Sequence, residues 1–218
     1  MEHLVRDNLV DVLLIAGDLF DHARVPDDLV TATFERLALL DAEVLLLPGN
    51  HDAHDETAVY RRHRNTIDAA GVKFFDTDGG DVIDVADNAL RVWSKSMTEH
   101  TPEFSPLYGV PDHPGDRWFV VAGHGHFAPA GTEDHRSSRI TVEHINATRA
   151  DYVALGHWHV TTDLSTRGAT TPAWYCGAPL FGHGAGNLLL VDFIPGEPVN
   201  VAPVHVLDHP AASCASGE

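Results

Sequence analysis

Basic side chains are scarce in this chain. Of its 218 residues 14 are Lys or Arg against 32 Asp or Glu, a formal net charge of −18, and the lysines are only Lys73 and Lys95. Capture of a nucleic-acid backbone is driven by Lys and Arg facing phosphates, so this balance argues against a broad electrostatic surface for DNA or RNA and leaves local contact only. The densest basic stretch, Arg61-Arg62-His63-Arg64, reads as a solvated helix face, with a small phosphate-steering patch as the alternative.

Cysteine is as rare. Cys176 and Cys214 lack the spacing of a zinc knuckle or a redox pair and are expected to be free thiols. No apolar run approaches the roughly 18 residues of a membrane span, and no basic-apolar-small leader is present, which makes a cytoplasmic protein with no membrane partner the expectation. Three familiar catalytic signatures are missing: Gly-x4-Gly-Lys-Ser/Thr, His-Glu-x-x-His and Gly-x-Ser-x-Gly. No internal repeat, heptad or low-complexity segment is visible.

What the chain does have is alternation of apolar runs and turns. Apolar runs at Val12 to Ala16, Val44 to Leu47, Trp118 to Ala122 and Tyr152 to Leu155 read as buried strands. Residues 2 to 10 look like the end of a helix. Asp27 to Leu40 is expected to be helical, because Leu29, Val30, Phe34, Leu37 and Leu40 recur near the 3.6 period and Pro26 stands at the start. Thr57 to Ala70 reads as a helix stopped by Gly71. Short strands follow at Val72 to Phe75, Asp81 to Val85 and Leu90 to Trp93, separated by turn residues.

Residues 94 to 116 carry four prolines and form a long loop of the kind that lines a site. Gly123 to Arg136 is expected to be irregular and Arg139 to Ala147 a short helix. Ala173 to Cys176, Asn187 to Ile194 and Val199 to Val206 look like strands of a second packed sheet. One α/β domain over residues 1–207 is expected, with a disordered tail over 208–218.

Four turns follow the buried runs: Gly17-Asp18-Leu19-Phe20-Asp21, Gly49-Asn50-His51-Asp52, Gly123-His124-Gly125-His126 and Gly156-His157-Trp158-His159. Side chains released at the ends of parallel strands collect along one rim of a sheet, where open α/β folds place their ligands. Asp18 presents a carboxylate able to bridge cations, Asn50 a neutral carbonyl oxygen, and His157 and His159 two imidazoles in one turn. Any one turn alone reads as ordinary structure, a turn-forming Asp or a β-turn. The conjunction of four points to a metal centre. Of the 16 histidines, His100, His113, His183 and His209 have no ligand-like spacing and read as surface or loop residues.

Gly-Asp-Leu-Phe-Asp-His and Pro-Gly-Asn-His-Asp, with Gly-His-x-His further on, resemble the signature of the calcineurin-like metallophosphoesterases over residues 11 to about 194. The wording is most similar to the branch of bacterial exonuclease subunits and DNA-repair nucleases. The resemblance implies a β-sandwich flanked by helices. It implies divalent ions of Mn, Fe or Zn, two in the intact site, and hydrolysis of phosphodiester or phosphomonoester substrates by attack of a metal-bound hydroxide. Carried over by position, Asp18 bridges both metals; Asn50, His124 and His157 complete one site, and His159 serves the other. His51 becomes the general acid or transition-state stabiliser, with Asp21 orienting it. His124 is preferred to His126 because it leaves the strand first.

The family's opening Asp-x-His is replaced by Met1-Glu2-His3, which implies a chain lacking the first central strand. One site would then keep only Asp18 and His159, and a single metal would be bound. The alternative expectation is an inactive or weakly active remnant acting as a metal-binding interaction module.

Overall fold

Alternation along the strands divides the molecule into layers. In the computed structural model, residues 2–129, 131, 137–181 and 184–206 are described. The expected tail, with His209 and Cys214, lies outside them, as does His183. The first half of the chain runs α1 (Glu2–Asp7), β1 (Val12–Ala16), α2 (Asp27–Leu37), β2 (Glu43–Leu47), α3 (Val59–Arg62), α4 (Arg64–Ala69) and β3 (Lys73–Phe74). Then come β4 (Asp81–Val85), β5 (Leu90–Ser94), β6 (Trp118–His124), β7 (His126–Phe127), β8 (Arg139–Ile140), α5 (Val142–Ala147) and β9 (Tyr152–Gly156). The chain continues through β10 (Thr162–Asp163), a 3₁₀ turn (Leu164–Arg167), β11 (Ala173–Tyr175), β12 (Leu180–Phe181), β13 (Gly184–Ala185), β14 (Asn187–Asp192) and β15 (Asn200–His205).

Two sheets face each other. One is three-stranded and parallel in the order β1-β2-β3. The other has six strands in the order β10-β11-β9-β6-β5-β4; its centre, β11-β9-β6-β5, is parallel and its two edges, β10 and β4, are antiparallel. Successive residues of a strand point to opposite faces. So Val44 and Leu46 of β2 pack under α2, α3 and α4 with Val30, Phe34 and Ile67, while Leu45 and Leu47 face the other sheet with Val92, Val120 and Ala122. In β6 the same alternation sends Phe119 and Val121 outward, into a cluster with Ile145 of α5 and Leu164 of the 3₁₀ turn. The result is a helix-sheet-sheet-helix sandwich, the mixed α/β fold expected from the sequence.

Several boundaries differ from expectation for local reasons. The helix expected over Thr57 to Ala70 is interrupted at His63, whose backbone leaves the helical region (φ −111°, ψ 22°). Arg139 to Ala147 is part strand and part helix: β8 pairs in parallel with β7, and Thr141 then caps α5 by accepting from the His144 N–H. The segment from Gly123 is regular further than expected, because β6 keeps its pairing with β9 as far as His124 opposite Gly156. The expected second sheet of the C-terminal strands does not form as one unit. Residues Ala173–Tyr175 join the six-stranded sheet beside β9, while β14 and β15 pair with each other, as a hairpin whose Val191 and Val201 pack onto the core between the sheets. Among the described residues no helix is long and apolar enough to cross a membrane.

Candidate metal centre

The ends of β1, β2, β6 and β9 meet. Asp18 follows β1 at φ +53°, a left-handed conformation unusual for a residue with a side chain. His157 follows β9 at φ +106°. The glycines beside them are forced by crowding: a β-carbon at Gly49 would run into the Asp18 carboxylate and backbone N, and one at Gly156 into the Ala16 carbonyl oxygen. Strand ends can therefore approach closely enough to share a ligand.

His124 is 2% exposed. Its Nδ1–H donates to the Ala16 carbonyl across the two sheets at 2.8 Å, which fixes the tautomer and leaves the Nε2 lone pair for something else. That Nε2 faces Asn50 Oδ1 at 2.9 Å and Asp18 Oδ2 at 3.1 Å. Asn50 Oδ1 in turn lies 2.8 Å from His157 Nδ1. Ligand atoms of Asp18, His124 and His157 all fall within 4.8 Å of one another. Lone pairs so placed repel unless a proton or a cation stands among them. Donors at right angles around one cation with bonds of about 2.1 Å are about 3 Å apart, close to the separations of 2.9, 3.1 and 2.8 Å seen here. The mixed oxygen and nitrogen set fits Mn, Fe or Zn.

The charges agree with this. Burial alone would raise the Asp18 carboxyl, but a proton or cation between it and His124, together with the His51 N–H, outweighs burial and holds it below the usual carboxylate value. Burial, with His124 nearby, pushes His157 down to about 4, so its nitrogen is unprotonated at neutral pH. In metal-free protein that has a consequence. The unfolded chain takes up this proton near pH 6.5 and the folded chain only near 4, so stability is complete above about 6.5 and declines as the pH falls towards 4. The thermal midpoint of metal-stripped protein is expected to drop across that window, and His157→Gln to flatten the drop; identical profiles would contradict it.

His51 stands at the rim, its side chain 46% exposed. Its backbone N–H donates to Asp18 Oδ1 at 2.9 Å. Its Nδ1–H donates to the backbone carbonyl of Asp21 at 2.9 Å, with the Asp21 carboxylate farther away at 3.5 Å. Asp21 thus touches His51 chiefly through its main chain rather than through the carboxylate expected to orient it. His126 is outside the cluster and accepts the Trp158 Nε1–H at Nδ1, 3.2 Å away. His159, assigned from the resemblance to another metal position, is exposed, and the close group is made by Asp18, His124 and His157. Of the basic stretch, Arg62 donates to the carbonyls of Thr57 and Ala23 and Arg64 pairs with Asp68 and Asp76. Two of its three guanidinium groups are thus engaged by the protein itself, which favours the structural reading of that stretch over a phosphate-steering patch.

Two supports carried no role in the sequence reading. Asp52 is completely buried and accepts from the N–H groups of Gly49, Asp18 and Phe20 and from the Tyr60 hydroxyl. Its signal was its place in Gly-Asn-His-Asp. Trp158 stacks on Tyr175 with centroids 4.8 Å apart, and the Tyr175 hydroxyl donates to the Gly125 carbonyl at 2.7 Å. This ties the Gly-His-Trp-His turn to the Gly-His-Gly-His turn, and periodicity alone does not reveal it.

A two-sheet α/β sandwich with a cluster of nitrogen and oxygen donors at its strand ends, able to hold a cation, is the class of protein these observations define. The chain belongs to the calcineurin-like phosphoesterase family, whose model matches residues 1–161. That membership carries metal-dependent phosphoester hydrolysis as its general chemistry. Among the similar solved chains, one crystal structure is 15% identical, with 93% of this chain and 91% of that chain covered and a TM-score of 0.59, a likeness of fold. No curated protein matches the chain.

Proposed function

We propose that this protein is a metal-dependent phosphoesterase that hydrolyses phosphodiester or phosphomonoester bonds, with Asp18, Asn50, His124 and His157 holding one divalent cation. The observation that carries this is the convergence of those four side chains on one point at the strand ends. A bound cation supplies a Lewis acid that draws charge from the phosphoryl oxygens and makes a coordinated water easier to ionise. The residues of the chain do the rest. Asp18 contributes the negative charge that retains the cation, and His124, locked by Ala16, keeps its donor nitrogen aimed inward. His51, with Nδ1 committed to Asp21, has Nε2 available to protonate the departing oxygen.

The charge of −18 favours a small phosphoester over a nucleic-acid strand. The Gly-Asp-Leu-Phe-Asp-His wording is what speaks for a nuclease relative. Mn, Fe and Zn all suit the donors.

Elemental analysis of purified protein is expected to find about one cation per chain. An aryl phosphodiester is expected to be hydrolysed with Mn²⁺ present and not after chelation. A protein that binds the cation and cleaves no phosphoester would instead be the metal-binding interaction module.

A further inference from the structure

Asp52 has no part in the chemistry above, yet it is the only carboxylate among the described residues that is fully buried. Each of its oxygens takes two donors. Oδ1 accepts the Gly49 N–H at 2.7 Å and the Asp18 N–H at 3.3 Å; Oδ2 accepts the Phe20 N–H at 3.1 Å and the Tyr60 hydroxyl. The donors come from both ligand-bearing turns. Gly49 immediately precedes Asn50, and Asp18 is itself a ligand held at φ +53°. Aspartate tolerates this left-handed backbone at a modest cost, which the contact of its N–H with Asp52 helps to offset. Tyr60 is wholly buried, and its phenol packs against Phe20 and Phe74, so the fourth donor is fixed in place by the helical layer.

We propose that Asp52, itself held by Tyr60, is the positioning residue of the metal centre, clamping the turn after β1 to the turn after β2 so that Asp18 and Asn50 address the same cation. The inference rests on the metal reading of the preceding section. Only a carboxylate fills the role, because all four partners donate. Asparagine at this position has one acceptor. With its oxygen towards Gly49 and Asp18, its NH₂ can donate to Tyr60 once that hydroxyl reverses, but it confronts the Phe20 N–H, which is left buried and unpaired. The shape of the side chain is kept and the link between the turns is weakened.

The test is the Mn²⁺ dissociation constant, measured by calorimetry for wild type, Asp52→Asn, Tyr60→Phe and the double variant, with the thermal midpoint of each metal-free protein taken alongside. Asp52→Asn is expected to bind Mn²⁺ about 10- to 100-fold more weakly, and Tyr60→Phe to lose less. The double variant should be no weaker than Asp52→Asn, because Tyr60 acts through Asp52. A folded Asp52→Asn protein with a lower thermal midpoint and wild-type Mn²⁺ affinity overturns the proposal, since Asp52 is then structural only. If Asp52→Asn does not fold, Tyr60→Phe decides, and unchanged affinity in that variant overturns it. Wild type that binds no Mn²⁺ overturns the metal reading and this inference together, whereas intact wild-type binding with indifferent variants overturns this inference alone.

Discussion

Asp18→Asn is expected to lower the turnover of an aryl phosphodiester by roughly 10³-fold, corresponding to about 4 kcal/mol of transition-state stabilisation at 1.36 kcal/mol per decade. The substitution keeps the volume of the side chain and removes the only formal negative charge among the four ligands, leaving one amide oxygen against Asn50 and two imidazoles. It also places an NH₂ towards either the cation or the His51 N–H, which now donates to Asp18 Oδ1. Measured as kcat/KM over a Mn²⁺ titration, the loss should shrink as Mn²⁺ rises, because part of it is affinity. A variant within roughly threefold of wild type at every Mn²⁺ concentration would remove Asp18 from the metal centre.

His51→Ala is expected to act on a different quantity. The backbone N–H of residue 51 still reaches Asp18, so the ligands stay in place; what is lost is the imidazole beside the leaving oxygen. An alkyl phosphodiester, whose alkoxide is a poor leaving group, should lose about 10²- to 10⁴-fold in kcat. A nitrophenyl ester, whose phenolate leaves without a proton, should lose far less. The two substrates measured on the same variant separate proton donation from general damage to the site, and equal losses on both would show that His51 does not serve as the acid.

Much of the site was legible in the sequence because its residues obey local rules. Glycine followed by a polar ligand at the end of an apolar run marks a strand opening onto a rim, and the runs at Val12–Ala16 and Asp81–Val85 match the strands residue for residue. The preference for His124 over His126 came from counting along the strand; in the structure residue 124 faces the other sheet, where the Ala16 carbonyl receives its Nδ1–H. What was not legible is what depends on partners distant in the chain. Nothing near Asp52 announces that Tyr60 and Phe20 will enclose it, and nothing in Arg139–Ile140 announces that His126–Phe127 is waiting as its pairing strand. The two-residue strands and the 3₁₀ turn at Leu164–Arg167 are too short to carry a period. The hand-over from the Asp21 carboxylate to its carbonyl is a backbone matter that residue identity does not encode.

The hydrogen bond from His124 to Ala16 joins residues 108 positions apart, and Asn50 meets His157 across 107. Contacts of that span carry the entropy of closing a large loop, which the packing of the two sheets has to offset. An incompletely docked chain therefore has no binding pocket to offer an ion. Ligand present at a hundred times its dissociation constant adds about 2.7 kcal/mol to the native state alone, the state in which these strand ends are docked. A cation bound there would therefore report on the docking of the two sheets, and its removal would lower the stability of the docked state as a whole.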